Sequence, residues 1–194
     1  MSVLAEAKLA ARKSAFARRK AAHTTLGPNA GTAALLAHLG DLTGRTIAGY
    51  MPIRTEIDPT DAMVELAQAN QMVVPVIEGA GKPLSFRVWT PGCDMIAGPF
   101  GAAIPADANR AVPDTLIVPL VAFTPKRYRL GYGGGFYDRT LEELRATQAT
   151  YAVGFAFAAQ CAPDLPIEQT DQRLDDIVTE EGPLAHPKPT AGAE

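Results

Sequence analysis

One short stretch of this 194-residue chain gathers two arginines, four glycines and an aspartate: Arg129-Leu130-Gly131-Tyr132-Gly133-Gly134-Gly135-Phe136-Tyr137-Asp138-Arg139. Glycine at four of the five positions 131–135 permits positive φ and lets backbone N–H groups come close to a ligand. The stretch follows the most apolar segment, Thr115–Phe123, and precedes a helical pattern near Tyr137–Gln148. Strand end, glycine loop and helix start are the place where α/β proteins bind phosphate, with free amides and a helix dipole favouring anionic oxygens. Asp138 adds a carboxylate able to hold a hard divalent cation against those oxygens. The common phosphate templates fail: no Lys-Ser or Lys-Thr follows the glycines, and Phe136 stands where a dinucleotide fingerprint needs its last glycine. A tight strand-to-helix turn would account for two glycines, but poorly for four flanked by Arg129 and Asp138.

Other candidates are scattered. Residues 1–20 carry Lys8, Arg12, Lys13, Arg18, Arg19 and Lys20 against Glu6, in an Ala-rich helical pattern of four or five turns. Such a helix is commonly a solvated face, yet Lys8 and Arg12 lie four apart and project toward one neighbour, where an anion could sit. Asp164, Glu168, Asp171, Asp175, Asp176 and Glu180 crowd the stretch before the C-terminal tail. Most read as a solvated face; one or two could complete a magnesium site with Asp138. His23, His38 and His186 read as surface residues, and no HExxH, His/Cys metal set or GxSxG elbow exists, so acyl transfer and zinc hydrolysis rank low. Cys161 reads as a small core residue and Cys93 as a loop residue, with no CxxC pair.

The elements that must position these groups follow from pattern. At 47% hydrophobic and 20% charged the chain can bury a core, and its net charge of −3 argues against a dedicated nucleic-acid binder. No apolar run reaches the ~20 residues of a membrane span, and the basic start lacks the apolar stretch of a secretory signal. A soluble, cytoplasmic protein is the expectation. Helices are expected over residues 32–39 and from Asp58-Pro59, where Asp58 caps and Pro59 takes the first helical position. Strands are expected at 45–50, 72–78, 84–89, 115–123, 151–157 and 177–178, with 91–113 as loop. The unbroken apolar run at 115–123 suits a strand covered on both faces. Alternating strands and helices predict a three-layer α/β/α domain around a mostly parallel sheet, one domain over residues 1–181 with a flexible tail at 182–194.

Arg129–Arg139 resembles the RLGxGxGxYD signature of the 5-formyltetrahydrofolate cyclo-ligase (5,10-methenyltetrahydrofolate synthetase) family. Lys8 to Arg12 is similar to the family's N-terminal KxxxR. Tyr50-Met51 with Glu56-Ile57-Asp58 is similar to its substrate loop, and Asp171 and Asp175 through Glu180 to its C-terminal D-x3-D-x-[IV]-[VL]-T-E. Val118-Pro119 with Ala122-Phe123 also agrees, so the likeness spans roughly residues 5–181. The resemblance implies Mg-ATP-dependent conversion of 5-formyltetrahydrofolate to 5,10-methenyltetrahydrofolate, with release of ADP and phosphate. Lys8, Leu9, Ala10, Ala11 and Arg12, together with Arg129, Leu130, Gly131, Tyr132, Gly133, Gly134, Gly135, Phe136 and Tyr137, would bind ATP. Met51, Glu56 and residues Tyr132–Phe136 would contact the folate, and Asp138 and Asp171 would hold magnesium. Lys8, Arg129, Gly133 and Asp138 would carry catalysis. The implied partners are these small molecules alone, with neither nucleic acid nor membrane, and the chain is expected to be a monomer.

The sequence departs from the family pattern at Ile104, where many members have an acid, at Thr124, where many have Asp, and at Arg127, where Gly is common. A non-catalytic relative that binds nucleotide or folate is therefore the alternative, supported by Ile104 and Thr124 only. Nucleic-acid binding through the basic helix is a third reading, short of basic surface and aromatic platform.

Overall fold

The computed structural model describes residues 3–185. In chain order the elements are α1 (Val3–Leu26), α2 (Thr32–Leu39), β1 (Thr46–Ala48), α3 (Thr60–Leu66), β2 (Gln71–Ile77), β3 (Leu84–Trp89), β4 (Met95–Ala97), β5 (Ala103–Pro105), β6 (Thr115–Pro119), β7 (Ala122–Phe123), β8 (Arg129–Leu130), α4 (Phe136–Thr147), β9 (Tyr151–Phe155), β10 (Asp176–Thr179) and β11 (Gly182–Pro183). Seven strands form the central sheet in the order β11-β10-β9-β6-β1-β2-β3. The five inner strands pair in parallel, and β3 and β11 close the two edges antiparallel.

Strand alternation makes the layers. Ile47, Met72, Val74, Ile117, Val153 and Val178 point to one face, where Leu35 and Leu39 of α2 and Ala62, Met63 and Leu66 of α3 cover them. Their neighbours Ala48, Val73, Leu116, Val118, Ala152 and Ile177 point to the other, under Leu141 and Leu144 of α4. Covering both faces is what the unbroken apolar run of β6 requires. The domain is thus α/β with helices on both sides of a mostly parallel sheet, as expected.

The chain order within the parallel core is β2-β1-β6-β9-β10, so the winding reverses between β1 and β6. A crevice outside the carboxyl ends of the strands at such a reversal is where open α/β sheets bind ligands. The segments leaving β1 (from Tyr50 to Asp58) and β6 (toward the glycine stretch) flank it.

Several expectations are corrected. The run 115–123 is two strands: its ladder with β9 ends at the Pro119–Phe155 pair, and β7 turns away to pair with β8 as a hairpin. The loop expected over 91–113 contains a second hairpin, β4–β5, whose register pairs Ile96 with Ile104. α1 runs 24 residues, longer than four or five turns. Asp58 Oδ1 accepts the Thr60 N–H at 2.8 Å, but Pro59 holds the cap position and the helix begins one residue later. Gly182–Pro183 pairs with β10, so the chain stays in the sheet where a frayed tail was expected to begin; residues 186–194, with His186, lie outside the described residues. His38 is not a bare surface residue: its Nε2 lies 2.7 Å from the Tyr151 hydroxyl, which donates to Asp176 Oδ2 at 3.0 Å. Among the described residues no helix is long and apolar enough to cross a membrane.

Candidate functional site

The β7–β8 hairpin is the platform. Ala15 of α1, fully buried, packs with Val121, Ala122 and Leu130, and its small side chain lets the helix lie close on the hairpin. That contact fixes which stripe of α1 faces inward: Lys8, Arg12, Ala15, Arg19 and Ala22, spaced by alternating steps of four and three. Three cations of the basic helix are thereby turned toward the protein.

Each meets a different partner. Lys8 Nζ donates to Asp171 Oδ2 at 3.0 Å and Oδ1 at 3.2 Å, and lies 3.1 Å from Glu168 Oε2. Burial pulls the Lys8 ammonium down, but the Asp171 and Glu168 carboxylates outweigh it and hold its pKa above the ordinary value. Arg12 Nε donates to the Gly131 carbonyl at 2.8 Å, bracing the glycine loop from above. Arg19, only 1% exposed, donates through Nη2 to the Tyr132 hydroxyl at 2.9 Å and through Nε to Thr55 Oγ1 at 3.2 Å.

The glycine loop itself turns through two left-handed residues. Gly133 has φ 104°, and a Cβ there would lie 3.2 Å from Arg12 Nη2. Gly135, at φ 64°, occupies the N-cap of α4 without any side-chain cap. The first-turn N–H groups of α4 have no partners within the helix, and their dipole favours a negative group at this end. Asp138 sits in that first turn. Its Oδ1 accepts Arg129 Nη2 at 2.8 Å and the Gln172 backbone N–H at 2.9 Å, leaving Oδ2 available. Arg129 is almost fully buried and also donates to the Gln172 carbonyl at 2.7 Å. Burial lowers the Arg129 pKa from its ordinary value, against the opposing charge of Asp138. Because Gln172 follows Asp171, the same contacts bring Asp138 and Asp171 to one side of the loop.

Across the crevice, the segment after β1 supplies Glu56, 5% exposed. Its Oε2 accepts the Ile53 N–H at 2.8 Å and its Oε1 the Tyr132 hydroxyl at 3.0 Å, with Arg19 Nη1 3.8 Å away. Burial raises the Glu56 pKa above the ordinary carboxylate range, restrained by the Ile53 N–H, Arg19, Tyr132 and Arg54. Burial, then the Glu56 charge, pushes the Tyr132 hydroxyl up to about 12, so it stays a donor at neutral pH. The Tyr50 hydroxyl anchors this segment by donating to the Ile57 carbonyl at 2.6 Å. Met51 packs half-buried against the α2/α3 side of the core.

Lys8, Arg12, Arg129, Gly131–Gly135, Asp138 and Asp171 thus gather around the glycine loop, and Tyr132 joins them to Glu56. Leu9 and Ala10 are exposed, while Ala11 packs beside Ala15; Leu130 is buried, and Phe136 and Tyr137 pack half-buried on the α4-side core. Arg19, Thr55 and the Gln172 backbone were not foreseen. The helical step of four from Ala15 could have separated Arg19 from Arg18 and Lys20, but only once the buried stripe was known. Asp138, with Oδ2 available, fits a magnesium ion that takes other ligands from phosphate and water, whereas Asp171 has both oxygens on Lys8 and its Oδ2 also accepts the Glu168 N–H at 2.7 Å. Among the described residues no cluster of three or more His, Cys, Asp or Glu could hold a metal by itself. The departures from the family pattern have structural employment: Ile104 is buried in β5, Thr124 Oγ1 accepts the Tyr128 N–H at 3.2 Å, and Arg127, at φ 67°, lies 3.7 Å from Asp176. A depression of about 570 Å³ between α2 and α3 has Asp61, Glu65 and Asn70 in its lining and none of these site residues, so the site is defined by its converging charges and not by that hollow.

The model of the 5-formyltetrahydrofolate cyclo-ligase family matches residues 5–180. The chain is 34% identical over 142 residues to a 5-formyltetrahydrofolate cyclo-ligase of Escherichia coli, covering 69% of this chain and 77% of that one. It is 36% identical over 141 residues to that of Haemophilus influenzae, covering 69% and 75%. Among solved structures, the 5,10-methenyltetrahydrofolate synthetase of Aquifex aeolicus superposes with a TM-score of 0.73 at 27% identity, over 94% of this chain and 92% of that one. The synthetase of Mycoplasma pneumoniae gives 0.71 at 26% identity, over 90% and 99%.

Proposed function

The chain belongs to the 5-formyltetrahydrofolate cyclo-ligase family and is a ligase enzyme, and from that premise we propose that it uses Mg-ATP to close 5-formyltetrahydrofolate into 5,10-methenyltetrahydrofolate. The amide-like formyl oxygen is a poor leaving group. Transfer of the γ-phosphoryl group to it, releasing ADP, gives an imidate-like phosphate. N10 then attacks the activated carbon and gives up its proton, the C–O bond breaks, and phosphate departs with the former formyl oxygen and takes up that proton. Such chemistry demands positioning and charge neutralisation more than a protein nucleophile.

The residues divide this work. Lys8 and Arg12 hold phosphate oxygens from the α1 side, and the amides of Gly131–Gly135 and the first turn of α4 donate from below. Asp138 would hold magnesium, joined by Asp171 once Lys8 turns from it to phosphate, and the ion would offset the negative charge of the phosphates. Arg129 keeps Asp138 oriented through its 2.8 Å contact. Glu56 accepts hydrogen bonds from the donor edge of the pterin ring, and Met51 lies against the same substrate. Gly133 lets the loop reach the meeting point of γ-phosphate and formyl group without a side chain in the way.

The observation that carries this reading is the single stripe of α1 whose cations reach the acid pair, the glycine loop and the Tyr132–Glu56 pair in turn. A binder without chemistry would not need the full set of Lys8, Arg12, Asp138 and Asp171, and the two residues that favoured it, Ile104 and Thr124, serve the fold. On the same reading the chain works as a cytoplasmic monomer on two small molecules. The test is stoichiometry: one ADP and one phosphate should appear for each methenyltetrahydrofolate formed. Product formed without ATP consumption would overturn the phosphoryl-transfer step.

A further inference from the structure

Arg19 is the least expected residue of the site. A guanidinium 1% exposed is costly unless its donors and charge are answered. Two of its nitrogens are, by Thr55 Oγ1 and the Tyr132 hydroxyl. The third, Nη1, is buried without a hydrogen-bond partner and lies 3.8 Å from Glu56 Oε1. The guanidinium also lies against two rings, 5.2 Å from the centre of Phe16 and 5.5 Å from that of Tyr132.

Glu56 has the complementary arrangement. Its Oε2 is used once, by Ile53, and its Oε1 once, by Tyr132. One acceptor direction remains on each oxygen, which suits a flat ligand edge carrying two adjacent donors. Tyr132 cannot orient Oε1 alone, because its hydroxyl has one proton and spends it there. That hydroxyl stays correctly turned because Arg19 Nη2 occupies its acceptor side. We propose that Arg19 is a positioning residue for the folate half of the reaction: through Tyr132 and its own contact it orients Glu56 for the pterin edge. This rests on the assignment of Glu56 to the folate. It also joins the two halves of the site, since Tyr132 belongs to the glycine loop and α1 carries Lys8 and Arg12.

The charged and titratable groups around Glu56 are Arg19 from α1, Arg54 from its own segment, Tyr132 from the glycine loop, and Tyr50 and Tyr137, which feel its charge. Loss of Arg19 removes one of two cations that favour the charged carboxylate, so Glu56 should take up its proton at higher pH.

Folate affinity of the full chain is measured by titration with 5-formyltetrahydrofolate across pH, alongside MgATP affinity and a thermal melt. Arg19→Met should weaken folate binding about tenfold or more, as loss of one charge-assisted contact does. Its acid limb of binding should move to higher pH while MgATP affinity stays within about threefold of wild type. Arg19→Lys should return the acid limb toward wild type and recover only part of the affinity, because an ammonium cannot reproduce the fork to Thr55 and Tyr132. A folded Arg19→Met variant with wild-type folate affinity and acid limb overturns the proposal and leaves the functional reading intact. If that variant does not fold, wild-type folate binding by both Arg19→Lys and Tyr132→Phe overturns it instead. Wild-type protein that binds MgATP but no folate refutes the functional reading, and this proposal with it.

Discussion

Replacing Asp138 separates two effects, because Oδ1 makes the contacts to Arg129 and Gln172 while Oδ2 is the oxygen proposed for magnesium. Arg129 is 4% exposed and Asp138 27%. Removing one partner of a buried ion pair costs about 3–5 kcal/mol because the other charge is stranded. Here Gln172 still accepts from Arg129 and water can reach the gap, so Asp138→Ala should cost less than a fully buried pair does, about 2–3 kcal/mol. For a chain of this size that is a fall of roughly 5–10 °C in Tm. Asp138→Asn keeps an oxygen for Arg129 Nη2 and the Gln172 N–H and loses only charge, so it should cost about 1 kcal/mol. As magnesium ligands both replacements are poor, and turnover should drop by about a hundredfold or more in each. Thermal melts and initial rates over a magnesium titration read the two effects separately. Equal melting temperatures for Asp138→Ala and wild type, or near-normal turnover by Asp138→Asn at ordinary magnesium, would refute the reasoning.

Further outcomes can be stated for the rest of the site. Lys8→Met should raise the KM for ATP by about tenfold or more, since on the proposed reading it removes a part-buried cation that holds phosphate, and an unchanged KM in steady-state rates would place Lys8 outside the nucleotide site. Gly133→Ala forces a side chain into φ 104° and toward Arg12 Nη2; strain of about 1–3 kcal/mol should lower kcat/KM about tenfold. Gly27→Ala, also at positive φ but with nothing within 4 Å of its Cβ, is the control and should leave kcat/KM unchanged. Glu56 holds its proton more tightly in the folded protein than in the unfolded chain, since burial raises its pKa. Its contribution to stability is therefore full below the ordinary carboxylate pKa and is lost as pH rises through the raised one. Folate binding runs oppositely: the KM for folate should climb as pH falls through that same window, which lies above the ordinary range, and a profile flat through it would contradict the assignment.

The parts of this protein legible from sequence are those where local chemistry and tertiary demand coincide. The glycine stretch reads as the loop between a strand and a helix start because Gly131, Gly133, Gly134 and Gly135 break both patterns, and β6 reads as central because only a strand covered on both faces tolerates Leu116-Ile117-Val118 in a row. The β4–β5 hairpin was hidden by the Pro and Gly residues around it, since pairs as short as Ile96 with Ile104 carry too little pattern to outweigh turn-formers. The break after Pro119 was equally masked: Leu120 to Phe123 are as apolar as the strand before them, and only the missing N–H of Pro119 hinted that the ladder stops. Arg19 was unreadable for a different reason. Arg18, Arg19 and Lys20 are chemically alike, and which one is buried depends on Ala15 meeting the β7–β8 hairpin, a contact between segments more than a hundred residues apart. Residues 171–172 show the same limit, since their value lies in where the backbone of Gln172 meets Asp138.

The most direct measurement is absorbance in the methenyltetrahydrofolate band after mixing purified protein with 5-formyltetrahydrofolate, with and without ATP and magnesium. A rise that requires both, and that Asp138→Ala abolishes while remaining folded, is the predicted result. A flat trace from folded protein that binds MgATP would contradict a cyclo-ligase built on this site.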